Sequence, residues 1–179
     1  MALAGLLRSQ VIGQPNVIPQ VVETLLDGEF GLTDPSRPKG TFLFLGPTGV
    51  GKTELTLAFT RYLFSEEHLV RLDMSEFQNQ ESVGILLGRS ESESGLDLLL
   101  QILDAARVTM ASGQTLDLSQ FYVVCTSNIA GRAVLNVRHS VRSTLVRFVE
   151  AQAQAELRPE IFARFQTVSV FDRLGYEEQ

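Results

Sequence analysis

A chain of 179 residues, 44% of them apolar, can bury a full core and points to one domain. Its 15 basic and 21 acidic residues give a net charge of -6, which excludes broad electrostatic adhesion to nucleic acid or to an anionic membrane; any anion site has to be built locally. Cys125 is the single cysteine, so no internal disulfide forms and a reducing cytoplasm is the expected compartment, and with only His68 and His139 besides, a zinc cluster is not expected.

The opening MALAGLLRSQVIGQ has a short apolar stretch but no basic lead, and no apolar run approaches the ~20 residues of a membrane-spanning helix. From Pro15, the residues Val17, Ile18, Val21, Val22, Leu25 and Leu26 recur at helical spacing, which predicts a helix ending near Gly28. Residues 31–40, GLTDPSRPKG, are crowded with turn formers and deliver the chain to TFLFL, Thr41 to Leu45. That run is too uniformly apolar for a surface strand and fits one buried on both faces of a parallel sheet. Beyond GPTGVGKT, Gly46 to Thr53, a helical stripe through Leu55, Ala58, Tyr62 and Leu63 leads to a second strand at His68 to Asp73, completing a βαβ unit.

RSESESG, residues 89–95, has nothing to bury and reads as a linker. Leu96, Leu99, Leu100 and Leu103 then mark a packed helix, residues 111–115 a turn, and FYVVCTSN, Phe121 to Asn128, a third buried strand ending in small polar residues. A helix over Val141 to Leu157, a short restart at Arg158 and Pro159, and a fourth strand at Thr167 to Phe171 complete a parallel α/β arrangement.

The spacing G-x-x-x-x-G-K-[ST] is met in full by Gly46, Gly51, Lys52 and Thr53, between a strand and a helix as that motif requires. The glycines let successive N–H groups of Gly46, Pro47, Thr48, Gly49, Val50 and Gly51 (Pro47 excepted, having none) turn around a β-phosphate at a helix N-terminus. Lys52 is a point charge for β and γ oxygens, and the Thr53 hydroxyl is the expected Mg²⁺ ligand. The alternative, a glycine-rich turn with an incidental lysine, leaves the flanking strand and helix unexplained. ATP or ADP with Mg²⁺ is therefore the expected ligand.

Outside the loop, VIGQ at Val11 to Gln14, residues 31–54, VRLDMSEF at Val70 to Phe77, LLLQILDAARVT at Leu98 to Thr109, TSN at Thr126 to Asn128 and RPEIFARF at Arg158 to Phe165 follow one another in an order that resembles the second ATPase module of the Clp-type AAA+ unfoldases and disaggregases. The resemblance implies a P-loop NTPase (AAA+) three-layer sandwich around a mostly parallel sheet, with residues 1–179 forming the large, nucleotide-binding subdomain. It implies that Val11 and Ile12 lie against the adenine, that Asn128 is the sensor of the γ-phosphate or attacking water, and that Arg164 is an arginine finger offered to a neighbour in a homo-oligomeric ring acting on protein substrates. Read from the residues alone, Val11 and Ile12 also fit an ordinary core, Asn128 a helix cap, and Arg164 a surface arginine.

Two pieces of that family pattern are absent. No run of four apolar residues followed by Asp-Glu, the Walker B strand that supports Mg²⁺ and polarises water, stands between Gly88 and Leu96. No Phe, Tyr or Trp occurs from Gln78 to Gln120, so the aromatic pore loop is missing as well. The central Walker B strand being absent, either the sheet closes up or an edge is disrupted; in the first case Leu69 to Asp73 moves into the vacated place and Asp73 stands in for the metal-supporting carboxylate, against the plainer reading that Asp73 caps a turn. Asp97, Asp104 and Glu160 fit solvated helix faces. No C-terminal small helical subdomain follows the last strand.

These readings predict nucleotide binding with impaired hydrolysis. The alternatives are a non-hydrolysing nucleotide-binding scaffold or partner-interaction module, and a small-molecule phosphotransferase, which has no use for VIGQ, TSN or RPEIFARF.

Overall fold

A computed structural model describes residues 2–63, 68–77, 95–110, 112–136 and 141–174. Helices α1 (Leu3–Gln10) and α2 (Val17–Glu29) precede strand β1 (Gly40–Leu45), which runs through the glycine loop into α3 (Lys52–Leu63). Strand β2 (Leu69–Asp73) passes directly into the short α4 (Met74–Phe77). After α5 (Gly95–Ala105) come β3 (Arg107–Thr109), β4 (Thr115–Asp117) and β5 (Tyr122–Ser127), then α6 (Gly131–Asn136), α7 (Arg142–Glu156), α8 (Pro159–Phe162) and β6 (Thr167–Val170). Residues 89–94 of the expected linker lie outside the described residues, and its last residue, Gly95, is already the start of α5.

Four strands form a parallel sheet in the order β2-β5-β1-β6. The sheet has therefore closed up: β2 pairs with β5 along its whole length, from Leu69 opposite Tyr122 to Asp73 opposite Thr126. Both β1 and β5 are buried at all six positions, as strands covered on both faces must be. Successive side chains alternate between two cores. Phe42 and Phe44 face a layer of α1, α2 and α3 with Val21, Leu55, Phe59 and Phe171, whereas Leu43 and Leu45 face the layer containing α5, α7 and α8 with Leu99, Ile102, Val149 and Ile161. The first core is stacked with tilted aromatic pairs, Phe42 with Phe44 and Phe59 at 5.7 Å and Phe44 with Phe171 at 5.1 Å between ring centroids.

Helices α1 and α6 and the β3–β4 hairpin were not expected from the sequence. α1 buries only Leu3 and Leu7, one i, i+4 pair, too little to form a visible period. α6 is one and a half turns long. Of the turn expected at 111–115, residue 111 lies outside the described residues and Thr115 is already the first residue of β4; β3 and β4 form a separate antiparallel hairpin whose three-residue strands are too short to carry an alternation signal, with Met110 N–H donating to Gln114 O at 2.8 Å.

Candidate phosphate-binding site

Parallel strands place all their C-terminal ends on one edge of the sheet, and ligands of open α/β folds gather there. On that edge a cavity of about 420 Å³ is lined by Thr48, Gly49, Gly51, Lys52, Thr53 and Glu54 from the loop and α3, Asp73 and Ser75 from the end of β2, and Thr126, Ser127 and Asn128 from the end of β5.

The loop's path takes three glycines, Gly46, Gly49 (φ 81°) and Gly51, through backbone conformations that other residues rarely adopt, and at two of them a side chain would also be crowded. Gly46 has φ 150°, and a Cβ there would stand 3.1 Å from the Phe171 Cβ and 3.2 Å from its carbonyl oxygen. Gly51 has φ 102°, with Val11 Cγ1 3.2 Å from where a Cβ would be. The first α3 bond runs from Leu55 N–H to Gly51 O at 2.9 Å, so the amides ahead of it are those a helix start leaves unpaired. The Lys52 ammonium is half-buried and donates to the carbonyls of Gly46, Pro47 and Ser127. Burial lowers its pKa, and the charge of Asp73 works in the opposite direction.

Ser127 holds the neighbouring strand end in position. Its carbonyl accepts from Gly46 N–H at 3.2 Å as well as from Lys52, and its hydroxyl accepts from Ile129 N–H at 3.1 Å. The side-chain cap at this turn is thus Ser127, not Asn128. Asn128 contributes only its backbone carbonyl to the turn, accepting from Gly131 N–H at 2.9 Å, and its exposed carboxamide lines the cavity.

Val11 and Ile12 separate. Val11 is 4% exposed and packs behind Gly51 in the aromatic core; Ile12, at 61%, is on the surface beside it. Neither borders the phosphate cavity. Gln14, from the same VIGQ stretch, is the residue the sequence reading passed over. It is 1% exposed, donates from Nε2 to Val50 O (3.0 Å) and Asp172 O (2.8 Å), and accepts at Oε1 from Asp172 N–H (2.9 Å). Its partners are backbone groups far away in the chain, so no local pattern in the sequence marks it.

Arg164 lies elsewhere. It follows α8 and precedes β6, at the N-terminal edge of the sheet, where its backbone carbonyl accepts from Thr41 Oγ1. Its guanidinium pairs with Asp104 (Nε to Oδ2, 2.6 Å) and donates to Glu160 O. Strands of this length separate the two edges by roughly 15–20 Å. The three remaining acidic candidates are engaged in ion pairs away from the cavity: Asp104 with Arg164, and Asp97 and Glu160 with Arg158 at 2.9 and 3.3 Å.

With this geometry established, comparison with known proteins decides the family. The sequence pattern described as AAA domain (Cdc48 subfamily) matches residues 37–97 and 96–168. The chain belongs to that family. It is 35% identical to the chaperone protein ClpB of Pseudomonas putida over 213 aligned positions, covering 99% of this chain and 24% of that protein. It is 34% identical to heat shock protein 100 of Trypanosoma brucei brucei, covering 96% and 24%. Among solved structures, the S. cerevisiae Hsp104-ADP complex superposes with a TM-score of 0.81 at 26% identity, over 98% of this chain and 36% of that one. Homology of Clp type thus runs over nearly the whole chain, which spans about a quarter of the length of these curated relatives. Since 213 aligned positions hold only about 177 residues of this AAA+ chain, the Pseudomonas protein has about 36 positions there without a counterpart.

Proposed function

We propose that this chain is the nucleotide-binding part of a Clp-type protein-remodelling ATPase, holding ATP or ADP by its phosphates between residues 46–53 and the end of β5, with hydrolysis impaired. The observation that carries this reading is the convergence of the glycine loop, the Lys52 ammonium, the Thr53 hydroxyl and the Asn128 carboxamide on one cavity. Its 420 Å³ lies within the range of small-molecule sites. The solved relative in complex with ADP supports the choice of an adenine nucleotide. Exposed Ile12, beside the loop but outside the phosphate cavity, is available to an adenine ring.

The donor set suits Mg²⁺, a hard cation that takes oxygen ligands and keeps several waters: Thr53 offers a hydroxyl and Asp73 a carboxylate on the same cavity. When bound with a nucleotide, such a cation neutralises phosphate charge. Lys52 would exchange its carbonyl partners for phosphate oxygens, and Asn128 would orient a water or the terminal phosphate.

Impaired hydrolysis follows from the residues that end β2. A carboxylate that polarises water is worth roughly 10²- to 10⁴-fold in rate, and the residue after Asp73 is Met74, buried at 2% exposure. Arg164, on the far edge of the sheet, would serve only the nucleotide of a second copy, as in a ring. Polypeptide clients are inferred from the relatives alone.

Calorimetric titration with ADP and ATP, paired with phosphate release across protein concentration, tests the reading. Binding weakened about 10- to 100-fold in Lys52→Ala, with slow release in the wild type, is the expected result. Absence of binding by folded protein would refute the site, and rapid turnover would refute the impairment.

A further inference from the structure

In the Clp-type pattern, the strand carrying the Asp-Glu pair lies between the VRLD strand and the sensor strand. Here nothing lies between them: β2 and β5 are hydrogen-bonded neighbours over all five residues of β2. The place beside β5 is therefore filled by β2, and the residue at its C-terminal end is Asp73.

Register locates that residue closely. Asp73 is opposite Thr126, and Thr126 is opposite Phe44 of β1, so Asp73 occupies a row that ends one residue short of Leu45 and Ser127. It is two strands, or roughly 10 Å, from the strand that feeds the glycine loop. Its Oδ1 accepts from Ser75 N–H at 3.0 Å and from Ser75 Oγ at 2.7 Å, which fixes the carboxylate at the start of α4. Among the described residues Oδ2 accepts no hydrogen bond. Asp73 borders the same cavity as Thr53 and Lys52, and its charge acts on the Lys52 ammonium. Capping the turn through Oδ1 thus leaves Oδ2 without a protein partner among the described residues, on a residue that borders the cavity.

We propose that Asp73 is the carboxylate that supports a nucleotide-bound divalent cation in this chain, and that β2 has taken over the metal half, but not the water-activating half, of the missing strand's work. Met74, buried under the sheet, occupies the position where the second carboxylate would follow the first. The inference rests on the nucleotide-binding reading above and adds to it a metal-linked residue. Its consequence is a site that prefers the Mg²⁺ complex of a nucleotide without gaining a base for hydrolysis.

ADP affinity measured by calorimetry with excess Mg²⁺ and with EDTA, for the wild type and for Asp73→Asn, distinguishes the possibilities. Asparagine keeps an Oδ1 acceptor for Ser75, so the turn is preserved while the charge is removed. Mg²⁺ is expected to tighten wild-type binding, and the variant to lose about 10- to 100-fold of that gain. In EDTA the variant is expected to bind ADP as well as or better than the wild type, because a negative charge near the phosphates has been deleted. A Mg²⁺ gain in Asp73→Asn equal to the wild type's would overturn the proposal, and so would an equal loss in both conditions, which is the signature of a purely structural residue. Wild-type protein that binds no ADP in either condition would overturn the nucleotide reading itself, and the proposal with it. A second measurement needs no variant: Mn²⁺ with ADP should broaden the NMR amide signals of Thr53, Asp73 and Ser75, and sharp Asp73 and Ser75 signals beside a broadened Thr53 would count against the assignment.

Discussion

Strands β1 and β2 end at the same cavity, yet they are built in opposite ways. β1 is buried at every position and flanked by strands on both sides, while β2 has a strand partner on one side only among the described residues, with Arg71 and Asp73 exposed and Val70 and Leu72 half-buried. The phosphate loop hangs from the rigid strand and the candidate metal carboxylate from the softer one. On the proposed reading, holding a nucleotide and supporting its metal would fall to strands of different burial, so one could be altered while the other stands.

The largest test of that contrast is in the core. Phe44→Ala removes a fully buried ring packed on Phe42 and Phe171 and is expected to cost about 3–5 kcal/mol by chemical denaturation. Beyond the loop that follows the same strand, at the start of α3, Lys52→Ala should weaken ADP binding by about 10- to 100-fold in calorimetry, the worth of charge-assisted hydrogen bonds. On the edge, Val70→Ala should cost only about 1 kcal/mol, since that side chain is half-exposed. A cost there equal to that of Phe44→Ala would mean that β2 is as deeply integrated as β1, and the contrast would be lost. The smallest effect is an absence of reaction. Cys125 is completely buried on β5 and burial pushes its thiol well above the ordinary range, so a thiol reagent should modify it no faster than the protein unfolds. Rapid labelling of native protein would reveal that β5 opens beside β2.

What the sequence made legible follows the same division. Uniform apolar runs at Phe42 to Leu45 and Tyr122 to Cys125 announce strands covered on both faces, and the glycine loop carries its own spacing, so that the centre of the sheet and the loop that borders the cavity could be read directly. The neighbour of β2 could not, because hydrophobic patterning records which faces are buried and says nothing of strand order. Two outcomes were therefore open until the pairing of Leu69 to Asp73 with β5 selected one. Gln14 escaped notice for another reason. Its role depends on carbonyls of Val50 and Asp172, groups that every residue possesses and no sequence pattern marks. Asn128 was read as sensor or cap, and only the hydroxyl of neighbouring Ser127, already bonded to Ile129 N–H, frees it from the second role.

The Gln14 carboxamide has further meaning for how the site meets its ligand. Both kinds of group on it are committed, Nε2 to two carbonyls and Oε1 to an amide, and these bonds tie Asp172, two residues past β6, and the middle of the glycine loop to a common point. Val50 and Asp172 cannot drift apart without stranding a buried polar group. Much of the conformational freedom that a glycine-rich segment would otherwise surrender on capture of a ligand has then been given up already at folding, so any anion the loop takes would meet a preorganised backbone.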